Sequence, residues 1–212
     1  MSLKGLLAAA AVVLAGCSDA PVPTVSHHEN HNGLSLSSLS QVATAQTLDD
    51  LRQLTAPLHD VNAAENAGYA LFKAPPLTAA DGCISSAQEG GMGYHYTRGN
   101  NLADDAVTLP DPEFLVYAPT PAPRKDGEAR TRLAAFDYFL PYSAKWPGPD
   151  DPSFKRRPTL HDFPTMRGLP DLEFAPSRFN GWMFHIWLWE HNPDGMFANW
   201  NTSVSLCDGS AF

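Results

Sequence analysis

Basic residues are scarce in this sequence of 212 residues. Lysine and arginine together number 14, against 23 aspartates and glutamates, which gives a formal net charge of -9 at pH 7. Proteins that bind nucleic acids need clustered lysines and arginines to neutralise phosphates. The composition therefore excludes nucleic acid as an expected partner.

Several motifs of nucleotide-binding proteins and hydrolases are also absent. The chain contains no GxGxxG, no P-loop, no GxSxG and no HExxH. These absences exclude the Rossmann dinucleotide site, the serine nucleophile elbow and the helical zinc motif. Any chemistry must therefore come from residues that are distant in sequence and meet in the fold.

Long hydrophobic runs are lacking except near the N-terminus. Lys4 precedes an apolar run over residues 6–15, which is shorter than the roughly 20 residues of a bilayer-spanning helix and is typical of a signal peptide. The run ends in the sequence LAGC at residues 14–17, which resembles the bacterial lipobox. The resemblance implies cleavage before Cys17, acylation of Cys17 and a lipid bilayer as partner. An ordinary signal peptide with an incidental cysteine is the alternative.

The expected cellular localisation follows from the lipobox. It implies a lipid-anchored protein of the cell envelope, and acyl chains acting together anchor a protein stably. Ser18 rather than aspartate follows the cysteine. In lipoproteins of a Gram-negative cell, that residue indicates the outer membrane, facing the periplasm.

Cysteines are few. With Cys17 acylated, only Cys83 and Cys207 remain, and two cysteines in an oxidising compartment are expected to form a disulfide. A metal site that uses one or both thiolates is the alternative, although no CxxC-type spacing supports it.

The composition changes along the chain and indicates three parts. Residues 1–16 are the predicted lipoprotein signal peptide. Residues 17–43 are polar and serine-rich, which predicts a flexible tether. The tether contains HHENH at residues 27–31, either a plain polar linker or a tract able to capture Cu, Ni or Zn. Residues 44–212 form the predicted single globular domain.

The predicted fold class is α+β. Helical signals begin at Thr47, and leucines at positions 48, 51, 54 and 58 form an apolar stripe that Pro57 interrupts. Short strand candidates follow, at residues 92–97, 114–118, 133–140 and 182–191. We expect an N-terminal helix or helix pair packed on a curved, mostly antiparallel sheet with long proline-rich loops. The loop over residues 141–180 is expected to be a lid or binding loop because of its length.

The tryptophan-rich stretch at residues 181–201 organises this prediction. Read as a strand, Trp182 to His191 alternates between two faces. Phe184, Ile186 and Leu188 point to the core. The other face carries Met183, His185, Trp187, Trp189 and His191, a composition typical of a pocket wall.

Several motifs together resemble a family of bacterial secreted proteins and lipoproteins of unassigned function. They are DVNAA at residues 60–64, GGMGYHY at 90–96, HIWLW at 185–189, NPDGMF at 192–197 and WN at 200–201. The resemblance covers about residues 55–207. It implies secretion and one compact domain, and it implies no known activity.

A candidate site follows from the faces of the strands. Asp137 lies between apolar residues on its strand, and a buried carboxylate must be paired, liganded or protonated. If the strands align, His95, His185 and Asp137 converge as a two-histidine, one-carboxylate metal site, with Cu or Zn as the expected ion. The alternative is that each histidine is hydrogen-bonded to a buried carboxylate or carbonyl and that Asp137 pairs with Arg132 or another basic side chain. The remaining pocket residues predicted are Trp187, Trp189, His191, Glu113 and Tyr96.

The predicted function is therefore that of a membrane-anchored extracytoplasmic lipoprotein that binds a small ligand or metal ion in a pocket lined by histidine and tryptophan. The alternatives are a metal-dependent enzyme that uses the same histidines and a purely structural envelope protein.

Overall fold

A computed structural model describes residues 36–75, 78–79, 81–119 and 131–208. The predicted signal peptide, Cys17 and the histidine-rich tract lie outside the described residues. Within the described part of the chain, no helix is long and apolar enough to cross a membrane.

Two α-helices precede the sheet. Helix α1 spans Leu36–Thr55, a short 3-10 helix follows over Ala56–His59, and α2 spans Val61–Asn66. The interruption lies at Pro57, as the sequence predicted, because proline is tolerated in the first turn of a helix and not inside one. Asp60 begins α2, where its side chain accepts a hydrogen bond from the Asn62 amide at 3.0 Å.

The start of α1 corrects the predicted boundary between tether and domain. The helix begins at Leu36, inside the segment 17–43 that was predicted to be a flexible tether. Thr47, predicted as the first helical cap, lies within the helix, and its hydroxyl donates to the Ala43 carbonyl at 2.8 Å. Serine and threonine can make this bond to the preceding turn, so a serine-rich composition did not exclude a helix.

The strands form one antiparallel sheet in the order β1-β3-β4-β5-β7-β6, with β2 also paired to β3. Their bounds are β1 Ala70–Leu71, β2 Cys83–Ser86, β3 Gly90–Thr97, β4 Phe114–Pro119, β5 Thr131–Pro141, β6 Ala175–Ser177 and β7 Gly181–Ile186. The register shifts between Ile84 and Ser85 and again between Val116 and Tyr117. Such bulges bend and twist strands. The α+β fold on a curved antiparallel sheet is confirmed.

The sheet has two buried faces, which we name by what they carry. On the helix face, residues of α1 and α2 pack on the central strands, for example Leu51 and Ala64 with Tyr117, Phe136 and Ile186. The opposite face carries His95 and His185, and we call it the histidine face. Two smaller apolar groups also lie on it. They contain Phe114, Phe139 and Met183, and Val116, Ala118, Ala134, Ala135, Trp187 and Val204.

The long proline-rich segment mainly completes the helix face. Leu160, Met166 and Phe174 are fully buried in the same core as the helices. The buried side chains of this segment therefore belong to the core of the helix face, while most of its other residues are exposed or half-buried. Only its end, in β6 and the turn into β7, lies near the histidine face.

The last strand is shorter than predicted. It ends at Ile186 and not at His191. From Trp187 onward the backbone leaves the ladder, since the Trp187 amide donates to Met196 at 2.8 Å and the Trp189 amide donates to Ala134 at 3.0 Å. The period of two that defined the predicted faces does not apply beyond Ile186.

The structure pairs Cys83 with Cys207 in a disulfide, with Cα atoms 5.7 Å apart. Cys83 begins β2, and Cys207 lies in the C-terminal segment. The bond therefore attaches that segment to the edge of the sheet beside β3.

Candidate metal centre

The three predicted metal ligands come from three strands of the histidine face. His95 is on β3, Asp137 on β5 and His185 on β7. Asp137 lies directly opposite His185, while β4 separates β5 from β3. His95 is paired with Val116 and Asp137 with Phe114, so the His95 and Asp137 side chains approach each other over β4. Pairing in register fixes the face of each side chain.

The side chains meet in the interior of the protein. The Nε2 atom of His95 lies 2.9 Å from Oδ2 of Asp137, and Nε2 of His185 lies 3.4 Å from the same oxygen. Each residue offers one ligand atom, and the three atoms lie within 4.8 Å of one another. The side chains of His95, Asp137 and His185 are 1%, 0% and 2% exposed.

None of these polar atoms has a hydrogen-bond partner of good geometry among the described residues, although the Asn199 side chain lies near enough to His185 to act on its pKa as a weak hydrogen bond. Both ring nitrogens of His95 and of His185, and both oxygens of Asp137, are buried without one. The 2.9 Å separation between His95 and Asp137 is short enough for a hydrogen bond. The two groups are therefore misaligned, because a hydrogen bond also requires a favourable angle. Buried polar groups are normally satisfied, and an exception needs an explanation.

The distances suit a shared metal ion. Donor atoms that bind one ion at 2.0–2.1 Å lie roughly 2.9–3.4 Å apart, depending on whether the geometry is octahedral or tetrahedral. The two nitrogen–oxygen separations, 2.9 and 3.4 Å, are of this size. Two imidazoles and a carboxylate also form a donor set that transition metals accept.

The surroundings favour neutral imidazole at His185. Burial lowers the pKa of His185, and this effect exceeds the opposing effects of the Asp137 carboxylate and of a weak hydrogen bond with the Asn199 side chain, which raise it. Neutral imidazole is the form that binds metals. Aromatic rings border the centre: the Phe114 ring stands edge-on to His95 at 5.7 Å, and the Trp187 ring lies nearly parallel to His185 at 6.5 Å.

A cavity of about 310 Å³ opens beside the centre and includes His185 in its lining. Its other lining residues come from β2, β3, the β6–β7 hairpin and the C-terminal segment, among them Met92, Met183 and Trp200. The centre is thus buried, yet one of its histidines borders a space large enough for a small molecule.

The structure does not bring together the predicted pocket residues. Trp187 does lie beside His185. Trp189 instead lies on the helix face, because the strand ends at Ile186; its indole N–H donates to Thr55 Oγ1 at 3.3 Å and its ring packs against His59 at 4.4 Å.

The other three pocket residues also lie elsewhere. Tyr96 packs on Tyr117 at 5.1 Å on the helix face, since it follows His95 directly in the strand and neighbours point to opposite faces. His191 is exposed beyond the end of β7. Glu113 is buried apart from the centre, where its carboxylate accepts a hydrogen bond from the Phe139 amide at 3.0 Å. Burial raises the pKa of Glu113 to about 8.

Residues that border the centre were missed by sequence reasoning. The strand alternation placed Met183 on the face of His185, two residues away, but Met183 was not named among the predicted pocket residues. Arg178, Asn199 and Trp200 reach the cavity from a turn and from the C-terminal segment, and no local pattern predicted their position. Comparison with known proteins found no matching family model, no matching curated protein and no matching solved structure.

Proposed function

We propose that this protein is a lipid-anchored protein of the bacterial cell envelope that binds one divalent transition-metal ion through His95, Asp137 and His185. One observation carries the proposal. The three side chains point their ligand atoms at one another in the interior, and these atoms have no hydrogen-bond partner of good geometry among the described residues.

The main competing explanation is a purely structural one. A histidine–aspartate–histidine group that serves only the fold is expected to be satisfied by hydrogen bonds, because each unsatisfied buried group costs about 1–3 kcal/mol. Here the ring nitrogens and carboxylate oxygens are left without such bonds. A bound ion supplies a partner for one atom of each side chain and compensates the buried carboxylate charge.

The donor set selects the class of ion. Imidazole nitrogen suits zinc and copper, and a carboxylate oxygen is compatible with both. We therefore propose zinc or copper as the resident ion.

The anchor rests on the N-terminal sequence. The basic Lys4, the apolar run over residues 6–15 and the LAGC sequence support acylation of Cys17. In a Gram-negative cell, Ser18 favours the outer membrane facing the periplasm. The resemblance to secreted proteins and lipoproteins agrees with this proposed localisation.

A second candidate function is metal-dependent catalysis. Catalytic zinc sites combine three protein ligands with an open position for water or substrate. The cavity that includes His185 favours this candidate, because it offers a space from which a small molecule can approach the ion.

The test is the metal content of the full chain, purified in detergent without an affinity tag. Substituting alanine for histidine at positions 27, 28 and 31 first removes the competing tract near the N-terminus. After loading with zinc or copper and desalting, this background protein should retain an equimolar amount of metal, and added metal should raise its Tm.

His185→Ala should lose both the retained metal and the Tm response. His161→Ala is the matched control, because His161 is an exposed histidine whose Nδ1 lies 3.8 Å from an aspartate, Asp171. If His185→Ala binds metal and responds to it as the background protein does, the proposed metal site is wrong.

A further inference from the structure

We infer that the cavity beside His185 binds a small organic monocarboxylate, whose charged group pairs with Arg178. Coordination of the same molecule by the metal ion rests on the proposed function, whereas pairing with Arg178 does not. The inference depends on the shape of the cavity, on the position of the arginine and on the charges at the cavity wall.

The cavity is lined by apolar and by polar side chains. Its volume is about 310 Å³, within the range of small-molecule pockets. Ile84, Met92 and Met183 are among the apolar lining residues, and methionine side chains adapt to the shape of a ligand. Arg178, Asn199 and Glu89 provide polar groups. A molecule with a short alkyl or aryl part and one charged end fits this lining.

Arg178 is held at the cavity by a tight turn. It lies in the three-residue connection between β6, which ends at Ser177, and β7, which begins at Gly181. Asn180 adopts a positive φ of 60°, and the Phe179 amide donates to Ser177 Oγ at 3.2 Å. Asparagine tolerates this conformation better than most residues, so the turn has a defined shape.

The guanidinium of Arg178 has an aromatic partner and no carboxylate partner among the described residues. It lies 5.4 Å from the centre of the Trp200 ring, which also borders the cavity. Arg132, Arg156 and Arg157, in contrast, each form an ion pair with an acidic side chain. The charge of Arg178 is therefore available to an anion, and a planar guanidinium matches a carboxylate in two parallel hydrogen bonds.

Glu89 is an exposed residue that disfavours a second negative charge on the ligand. It also borders the cavity and forms no ion pair among the described residues. A second negative charge on the ligand would lie in the same small cavity as this carboxylate, where like charges repel. A monocarboxylate is therefore favoured over a dicarboxylate or a phosphate ester.

Benzoate is a suitable probe, with benzyl alcohol as its neutral counterpart and phthalate as the dianion. Titration calorimetry on the full chain should detect benzoate binding to both the zinc-loaded and the metal-free protein, with benzyl alcohol and phthalate binding more weakly. Arg178→Ala should weaken benzoate binding roughly tenfold, the value of one charge-assisted hydrogen bond. Arg157→Ala is the matched control and should bind as wild type.

The outcomes separate this inference from the proposed function. If benzoate binds the metal-free protein in an Arg178-dependent way while no metal is retained, the monocarboxylate site stands and the metal site falls. If metal is retained but benzoate binds neither form, or binds Arg178→Ala as tightly as wild type, the monocarboxylate site is overturned and the metal site stands.

Discussion

The two faces of the sheet bury polar groups in different ways. On the helix face, tyrosine hydroxyls donate to backbone carbonyls, as Tyr138 does to Leu109 at 2.7 Å and Tyr69 to Pro112 at 3.1 Å. On the histidine face, the polar atoms of His95, Asp137 and His185 have no such partner among the described residues. The indole N–H groups of Trp146 and Trp182 are exceptions on the helix face, but each is a neutral donor.

This difference agrees with the roles proposed above, in which the helix face holds the fold and the histidine face holds the metal ion. A tyrosine hydroxyl needs one acceptor, and a loop carbonyl can supply it. Three ionisable side chains that converge at 0–2% exposure need more than the surrounding fold provides. Natural proteins depart from complete polar satisfaction mainly at functional sites. The predictions that follow test whether the two faces respond differently.

Removing the disulfide should produce the largest loss of stability. Cys83 and Cys207 are 124 residues apart, so a chain-entropy account assigns the bond on the order of 4–5 kcal/mol. The Cys83→Ser, Cys207→Ser double variant, made in an oxidising compartment, should unfold at a much lower denaturant concentration than wild type. Wild type treated with reductant should match the variant. Equal midpoints for oxidised and reduced protein would mean that the bond does not constrain the domain.

The neighbouring residues Ile186 and His185 provide a direct comparison of the two faces. Ile186 is 0% exposed in the helix-face core, so Ile186→Ala should lower the free energy of unfolding by roughly 2–5 kcal/mol. In metal-free protein, His185→Ala should cost less, because it also removes an imidazole without a hydrogen-bond partner of good geometry. Chemical denaturation in the presence of a chelator measures both. A larger loss for His185→Ala would show that the histidine face is the better packed one.

The sequence predicted the centre better than its surroundings. Alternation along the strands placed His95, Asp137 and His185 on defined faces, and buried antiparallel strands preserve that alternation. It did not predict that β7 ends at Ile186, because the backbone partners of Trp187 and Trp189 are distant in sequence. Trp189 was therefore assigned to the wrong face.

The other errors have a local cause at Thr47 and a long-range cause in the proline-rich segment. Thr47 was read as a helix start from its local pattern, but a threonine can lie inside a helix and bond to the preceding turn. Residues 141–180 were expected to form a lid or binding loop because of the length of the segment. Leu160, Met166 and Phe174 within them fill the helix-face core. Composition indicates irregular backbone, and it does not indicate which side chains are buried.

Glu113 provides a pH-dependent comparison with the metal centre. It is buried apart from that centre, and burial alone is the main cause of its raised pKa. Its pKa is about 8 in the folded protein against an ordinary 4.5. The folded state therefore binds this proton more tightly, and the resulting stability is fully present below pH 4.5 and is lost as the pH rises through about 8. The loss should be on the order of a few kcal/mol.

Denaturation of wild type and Glu113→Gln across this pH range measures the effect. Glutamine keeps the shape and an acceptor for the Phe139 amide but has no proton to lose. The difference in stability between the two proteins should therefore shift in favour of the variant as the pH rises. A constant difference would mean that Glu113 is not held protonated in the folded state.

Trp187 and Trp189 allow the comparison with the smallest expected change in stability. Trp187 donates its indole N–H to Ala198 at 2.7 Å and lies parallel to His185, whereas Trp189 donates to Thr55 at 3.3 Å on the helix face. Trp187→Phe and Trp189→Phe each lose one hydrogen bond, worth about 0.5–1.5 kcal/mol. Their fluorescence should differ more than their stability. Copper(II) quenches a nearby indole, so copper should quench wild type and Trp189→Phe alike, while Trp187→Phe should lose most of the quenching. The reverse pattern would place the bound ion on the helix face and contradict the proposed centre.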